Sequence, residues 1–190
     1  EKNFNKLCSF NLNKHLVLSN PNKNEFSHNV MLQALRNTDN RIKNDQSVTP
    51  GFLLAALLWP TLISRCTKNN EINIRKFFRS MDGVLREQQK LTAVPRKFNS
   101  YIKDIWVLQL KLHSRIKSQP YKTIRHPRFR AAYDFLLVRE KASSDKNGLG
   151  KWWTDFQKND DSLRGSLLAR MNEKNDVDSS KIFGFYNELR

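Results

Sequence analysis

The chain has 190 residues, 38% of them hydrophobic, with only six Gly and six Pro and few β-branched runs, which suits one sizeable core or two small helical subdomains sharing one. Lys and Arg number 34 against 18 acidic residues, giving a net charge of +16 and a pI near 10.1. Such an excess favours a polyanionic partner, nucleic acid first, with an anionic membrane surface or a merely basic protein as the alternatives.

Cys8 and Cys66 stand far apart in no metal-like spacing and read as reduced thiols of a cytoplasmic protein. The start at Glu1-Lys2-Asn3 carries no signal peptide and no start methionine, so a fragment of a longer protein is expected. The longest apolar run, Phe52 to Ile63, is broken by Pro60 and Thr61 and falls short of the ~18 residues of a membrane span.

In chain order, Phe4, Leu7, Cys8, Phe10 and Leu12 give a weak helix over 4–18, ended by the turn at Asn20-Pro21-Asn22. A second helix is predicted over 25–42, with Phe26, Val30, Leu32 and Leu35 as its apolar positions. Thr49 and Pro50 suit the cap and first turn of the next helix, Gly51 to about Cys66, the most apolar stretch. A further helix runs from Ile72 to Lys90.

The next helix starts near Thr92–Pro95 and reaches about Ile116, with Phe98, Tyr101, Ile102, Ile105, Trp106, Leu108 and Leu112 in one stripe. Arg96, Lys97, Lys103, Lys111 and Arg115 lie on its other side, a basic face roughly 28 Å long at 1.5 Å per residue. Ser118-Gln119-Pro120 ends it.

Pro127 can open the helix that follows, which is apolar almost all round. Phe129, Ala132, Tyr133, Leu136 and Leu137 form one face, and Ala131, Phe135 and Val138 fill much of the other. It is therefore predicted to be central. Arg125, Arg128, Arg130 and Arg139 mark its two ends, and His126 reads as a helix-entrance residue. Leu149–Lys158, with Trp152, Trp153 and Phe156, looks like a short packing helix, and a helix capped by Ser162 is predicted to Asn172. The rest is polar until Ile182–Tyr186.

Charge gathers in residues 95–141, where twelve Lys or Arg face three acids, Asp104, Asp134 and Glu140. Two solvated helix faces would explain this. The sharper expectation is a phosphate-binding groove between them, with Arg96, Lys97, Lys103, Lys111 and Arg115 on one wall and Lys117, Lys122, Arg125, Arg128 and Arg130 continuing it.

Catalytic signals are absent. No Gly-rich phosphate loop occurs, and His15, His28, His113 and His126 are isolated, so no catalytic or metal site is predicted. Gly165-Ser166 followed by Asp176-Val177-Asp178 formally matches a nucleotidyltransferase pattern, in which strand-borne carboxylates hold metal ions. Here the aspartates sit in loop-like composition with twelve residues left, so the match is read as a solvated turn. Trp106, Trp152 and Trp153 lie in apolar patterns and are expected in the core, although an exposed Trp152-Trp153 region docking a partner protein is the rival expectation.

His126-Pro127-Arg128-Phe129-Arg130-Ala131-Ala132-Tyr133-Asp134-Phe135-Leu136-Leu137 resembles a segment of bacterial poly(A) polymerases. Blocks in the same order agree: Asn37–Ile42, Pro50–Trp59, Ala93–Phe98, Asp104–Gln109 and Lys151–Gln157, covering about residues 30–158. The resemblance implies an all-α helical body of a nucleotidyltransferase-superfamily enzyme that adds adenylates from ATP to single-stranded RNA 3′ ends. It further implies Mg2+ and ATP in a catalytic head absent from this chain. Residues 1–45 are then the end of the neck or start of the body, 46–158 the RNA-binding body, and 159–190 a partly loose extension. The chain departs from the family after Gln157, where no Arg-rich tail is evident. The body of a CCA-adding tRNA nucleotidyltransferase and a stand-alone basic interaction module are the alternatives.

Overall fold

A computed structural model describes residues 25–68, 71–92, 94–115, 117–143 and 148–175. The predicted helix over 4–18, the aspartates at 176 and 178 and the segment 182–186 lie outside these. Eight helices are present among the described residues: α1 (Glu25–Lys43), α2 (Pro50–Cys66), α3 (Ile74–Leu91), α4 (Lys97–Leu112), α5 (Gln119–Ile124), α6 (Phe129–Ser143), α7 (Leu149–Lys158) and α8 (Asp161–Asn175). The all-α expectation holds, with one small departure. Thr67–Lys68 pairs antiparallel with Glu71–Ile72 as a short ribbon, so α3 starts two residues later than predicted. Asn73 caps it, its Oδ1 accepting from the Lys76 N–H at 2.9 Å.

Two cores meet on α4 and α6. The first gathers α1, α2 and α3 around Trp59, Phe77, Trp106 and Phe135. The second gathers α7 and α8 around Phe129, Trp153 and Phe156. α6 serves both because its apolar residues circle the axis: Phe135 and Val138 face the first core, Phe129, Ala132, Tyr133 and Leu136 the second. The central role expected of this helix is thus met. Leu137, grouped with the buried face in the sequence, is 37% exposed instead.

Indole and amide donors fasten the layers. Trp106 Nε1 donates to Ala55 O at 2.9 Å, joining α4 to α2, and Trp153 Nε1 donates to Leu112 O at 2.9 Å, joining α7 to α4. Gln109 donates to Ala132 O at 2.9 Å and accepts from Arg139 Nη1 at 3.0 Å, so a buried amide between α4 and α6 is bonded at both ends.

Several expectations need correction. On α1 the inward stripe is Val30, Ala34 and Thr38, at i, i+4 and i+8, with Met31 and Gln33 beside it; Leu32 and Leu35 are only partly buried. α5 was not predicted. Pro120 falls in its first turn, where a missing N–H costs nothing. α6 begins at Phe129 rather than Pro127, because Phe129 N–H bonds His126 O at 2.8 Å and closes a turn first. Asp160, not Ser162, caps α8, accepting from Leu163 N–H at 2.9 Å. Gly165 is an exposed residue inside α8 rather than part of a nucleotide loop.

The Trp152-Trp153 pair is not an exposed docking surface. Trp153 is wholly buried and Trp152 is 8% exposed, its ring stacked on Phe156 at 4.9 Å, because α7 turns both inward onto α4 and α6. No helix among the described residues is long and apolar enough to cross a membrane.

Candidate nucleic-acid interface

A cleft of about 570 Å³ opens where the end of α1, the loop 44–49 and the start of α2 meet Tyr101 of α4 and the first turns of α6. Val48, Phe52, Ala131 and Leu137 give it apolar walls; Asn37, Asn40, Arg41, Thr49, Arg128, Arg130 and Asp134 give it polar ones.

Local chemistry sets these positions. α1 stops in a tight turn in which Asp45 adopts φ 53°, a left-handed conformation that a short polar side chain tolerates. The Gln46 N–H returns to Arg41 O at 2.8 Å, and the Arg41 guanidinium bonds Ser47 O through Nε at 3.1 Å and Nη2 at 3.0 Å. Arg41 therefore both ties down the loop and stands on the cleft.

At Gly51 a Cβ would meet Tyr101 Cδ1 at 2.9 Å and Phe98 Cδ1 at 3.1 Å, so only glycine lets α2 come this close to α4. Tyr101 is thereby fixed, and the Arg128 guanidinium lies over its ring at 4.8 Å from the centroid. Lys97 Nζ sits 5.4 Å from the Phe98 ring centre on the same patch.

His126 acts as the helix-entrance residue, its Nδ1 accepting from the Arg128 backbone N–H at 3.1 Å. Arg130 Nε reaches Asp134 Oδ1 at 3.2 Å one turn on. Burial holds the Asp134 carboxyl above its ordinary range, and Arg130 and then Arg41 pull it back.

The ten basic residues expected on one continuous wall are divided. Arg128 and Arg130 line the cleft, while Arg96 and Lys97 are exposed at the start of α4 and are not among its lining residues. Lys103 is instead turned toward α3 by an ion pair with Asp82. Lys111 lies partly buried on α4, and Lys122 and Arg125 are exposed on α5 and just past it.

Arg115 has left the helix altogether, because α4 ends at Leu112 and spans about 24 Å rather than 28. Its guanidinium lies 5.8 Å from the Trp152 ring centre, on the side of the second core. Lys117 follows in an exposed turn at φ 50°. Two cationic rods facing one another are thus replaced by a basic cleft rim and a separate set around α5.

Arg41, Asn37, Asn40 and Tyr101 were missed as site residues. Tyr101 reads as one more member of an apolar stripe, and Arg41 lies outside the basic quarter of the chain. The available signal was that Asn37–Ile42 and His126–Leu137 both carry the family resemblance, and the fold brings these blocks to opposite sides of one cleft. Among the described residues no three or more His, Cys, Asp or Glu side chains gather as metal ligands would.

Comparison with known proteins agrees with the resemblance. A family model described as the polymerase A arginine-rich C-terminus matches residues 69–181, extending the match past Gln157. Poly(A) polymerase I of Salmonella typhi is 35% identical over 134 residues, covering 67% of this chain and 29% of the relative. Poly(A) polymerase I of Escherichia coli O157:H7 is 34% identical over 151 residues, covering 76% and 32%. The Haemophilus influenzae protein of the same name is 31% identical over 151 residues, covering 77% and 33%. The chain spans about a third of the length of these relatives.

Proposed function

Because the chain belongs to the polymerase A arginine-rich C-terminus family, we propose that it is the RNA-holding region of an enzyme that adds adenylates from ATP to RNA 3′ ends. Recognition of ATP and Mg2+ and the transfer itself are assigned to the remainder of such an enzyme, and this chain alone is expected to be non-catalytic. The relatives' names favour adenylate addition over the CCA-adding alternative.

The observation that carries the reading is the convergence of Arg41, Arg128 and Arg130 on one cleft, with Arg96 and Lys97 exposed at the start of the helix that brings Tyr101 to it. A single strand crossing this rim gives its phosphates to the exposed cations, while the cleft between Tyr101 and Asn37 offers an apolar wall and amide groups to one base. Contacts of this kind position a strand without selecting its sequence. They also release counterions. With about four phosphates neutralised by Arg96, Lys97, Arg128 and Arg130, log affinity falls against log salt with a slope of roughly −3 for a single strand.

The test is oligo(A) binding to the chain across a salt series, in wild type and in Arg128→Ala with Arg130→Ala. Loss of affinity with a shallower slope supports the reading. Equal affinity and slope in both proteins would remove the cleft rim from it.

A further inference from the structure

α3 buries Ile74, Phe77, Met81, Val84, Leu85 and Gln88 against the rest of the molecule, so its opposite face is held outward. Arg75, Arg79, Arg86 and Lys90 stand on that face, all of them exposed. They fall at i, i+4, i+11 and i+15, which keeps them within about 60° of one another along roughly 22 Å of helix. They precede the basic quarter of the chain, so a count of charge over 95–141 passes them by.

A helix face that is merely solvated interleaves its signs, so that a cation finds an acid one turn away. α3 carries acids placed for this. Asp82 stands three residues after Arg79 and four before Arg86, and Glu87 stands three before Lys90. Both acids are engaged by other helices instead. Asp82 pairs with the Lys103 ammonium of α4. Glu87 accepts from the Arg65 guanidinium of α2 through both oxygens, at 2.8 and 2.7 Å. Arg65 is the main cause that holds the Glu87 carboxyl below its ordinary range, and Lys90 is the weakest.

Arg75, Arg79, Arg86 and Lys90 accordingly form no ion pair among the described residues. Arg75 with Arg79, and Arg86 with Lys90, are like charges four residues apart and repel one another. Such a stripe, with the acids of its own helix neutralised from elsewhere, is complementary to a polyanion.

The stripe also leads toward the cleft. The Lys103–Asp82 pair and the bond from Gln89 Nε2 to Asn99 Oδ1, at 3.3 Å, run α3 and α4 side by side and antiparallel. The last turn of α3, with Lys90, therefore lies by the first turn of α4. Arg96 and Lys97 are exposed there, and from there Tyr101 reaches the cleft.

We propose that Arg75, Arg79, Arg86 and Lys90 form a second track for RNA phosphates, occupied by the part of the strand that extends beyond the cleft at Arg128. This rests on the proposed RNA-holding function and lengthens its contact with the strand. A strand too short to leave the cleft does not reach the track.

The experiment measures the salt dependence of binding for two oligo(A) strands, one with about as many phosphates as the cleft rim has cations and one several times longer. The slope counts phosphates engaged rather than registers available along the strand. Wild type is compared with a variant carrying Arg75→Gln, Arg79→Gln and Arg86→Gln. A control variant carries Lys141→Gln, Lys151→Gln and Lys158→Gln, exposed positions on α6 and α7 with the same loss of charge. Circular dichroism checks that both fold.

The expected result is a steeper slope for the long strand in wild type, made shallower by about 2 in the α3 variant, at roughly 0.7 per phosphate. The short strand is bound alike by all three proteins, and the control keeps the wild-type slope on both strands. An α3 variant with the wild-type slope on the long strand overturns the track, as does an equal loss in the control, which would make the effect one of net charge. Oligoglutamate bound as tightly as the long strand, and lost in the α3 variant, would assign the face to an acidic protein and overturn it too. In each case unchanged binding of the short strand leaves the cleft reading intact. If wild type binds neither strand, the proposed function fails and the track with it.

Discussion

Two regions of this molecule set an arginine against an aromatic ring, and they differ in what surrounds the charge. At the cleft, Arg128 lies over Tyr101 with its guanidinium exposed, so water satisfies the donors and the ring only orients them. At the α4–α5 turn, Arg115 lies over Trp152 half out of solvent with its Nε unbonded. The first arrangement is an open rim whose exposed charge a polyanion can reach. The second shelters its cation against an indole, with the Arg115 Nε and the Trp152 Nε1 both shut away from solvent. Spacing along a helix cannot separate the two, because the difference arises from what packs around each guanidinium.

The strongest way to break the comparison is to remove the scaffold of one region alone. Trp153→Ala empties the middle of the second core and deletes the bond to Leu112 O, at an expected cost of about 3–5 kcal/mol in urea unfolding. Oligo(A) binding that survives at the cleft rim under conditions where this variant remains folded would keep the two regions independent.

A smaller effect is expected at Gly51. Gly51→Ala drives a methyl group toward the Tyr101 and Phe98 rings, an overpacking that costs about 1–3 kcal/mol and shifts the seat of Arg128. RNA affinity should fall together with the melting temperature. A fall in stability with unchanged affinity would detach Arg128 from the strand.

Lys103 sharpens the contrast from the other side. Its charge is engaged with Asp82, so Lys103→Ala should change RNA affinity far less than Arg128→Ala does. Both residues are exposed enough that loss of the ion pair itself costs ~1 kcal/mol or less. An equal loss of affinity in the two variants would restore the continuous wall along α4.

The smallest effect is the pH response of the cleft. Burial raises the folded Asp134 pKa above its unfolded value, so the folded state binds this proton more tightly. The stabilisation is fully present below the unfolded pKa and is lost as pH rises through the folded one. Urea unfolding at acidic and neutral pH should therefore show less loss on raising pH in Asp134→Asn than in wild type. An identical pH profile would mean that Arg130 and Arg41 cancel the effect of burial.

Much of the scaffold is legible in the sequence. The apolar positions around 129–138 announce a helix packed on two sides, and the Trp-rich stretch 149–158 is bounded by Gly148 and Asn159, where α7 begins and ends. α4 reads too long because no Gly or Pro intervenes between Leu112 and Pro120, and the extension carries Arg115 onto a helical face it does not occupy. The partner of Lys103 is invisible locally, since Asp82 lies 21 residues away on another helix. Arg41 reaches the site only because α1 packs along α6, a tertiary juxtaposition that no single-segment pattern encodes.

The central claim is that this region grips RNA through the exposed cations of the cleft rim. Its most direct test is the log–log salt dependence of oligo(A) binding in wild type beside Arg128→Ala. A slope near −3 that becomes shallower by about 0.7 in the variant is the expected result. A flat dependence, or a slope untouched by the loss of Arg128, would contradict it.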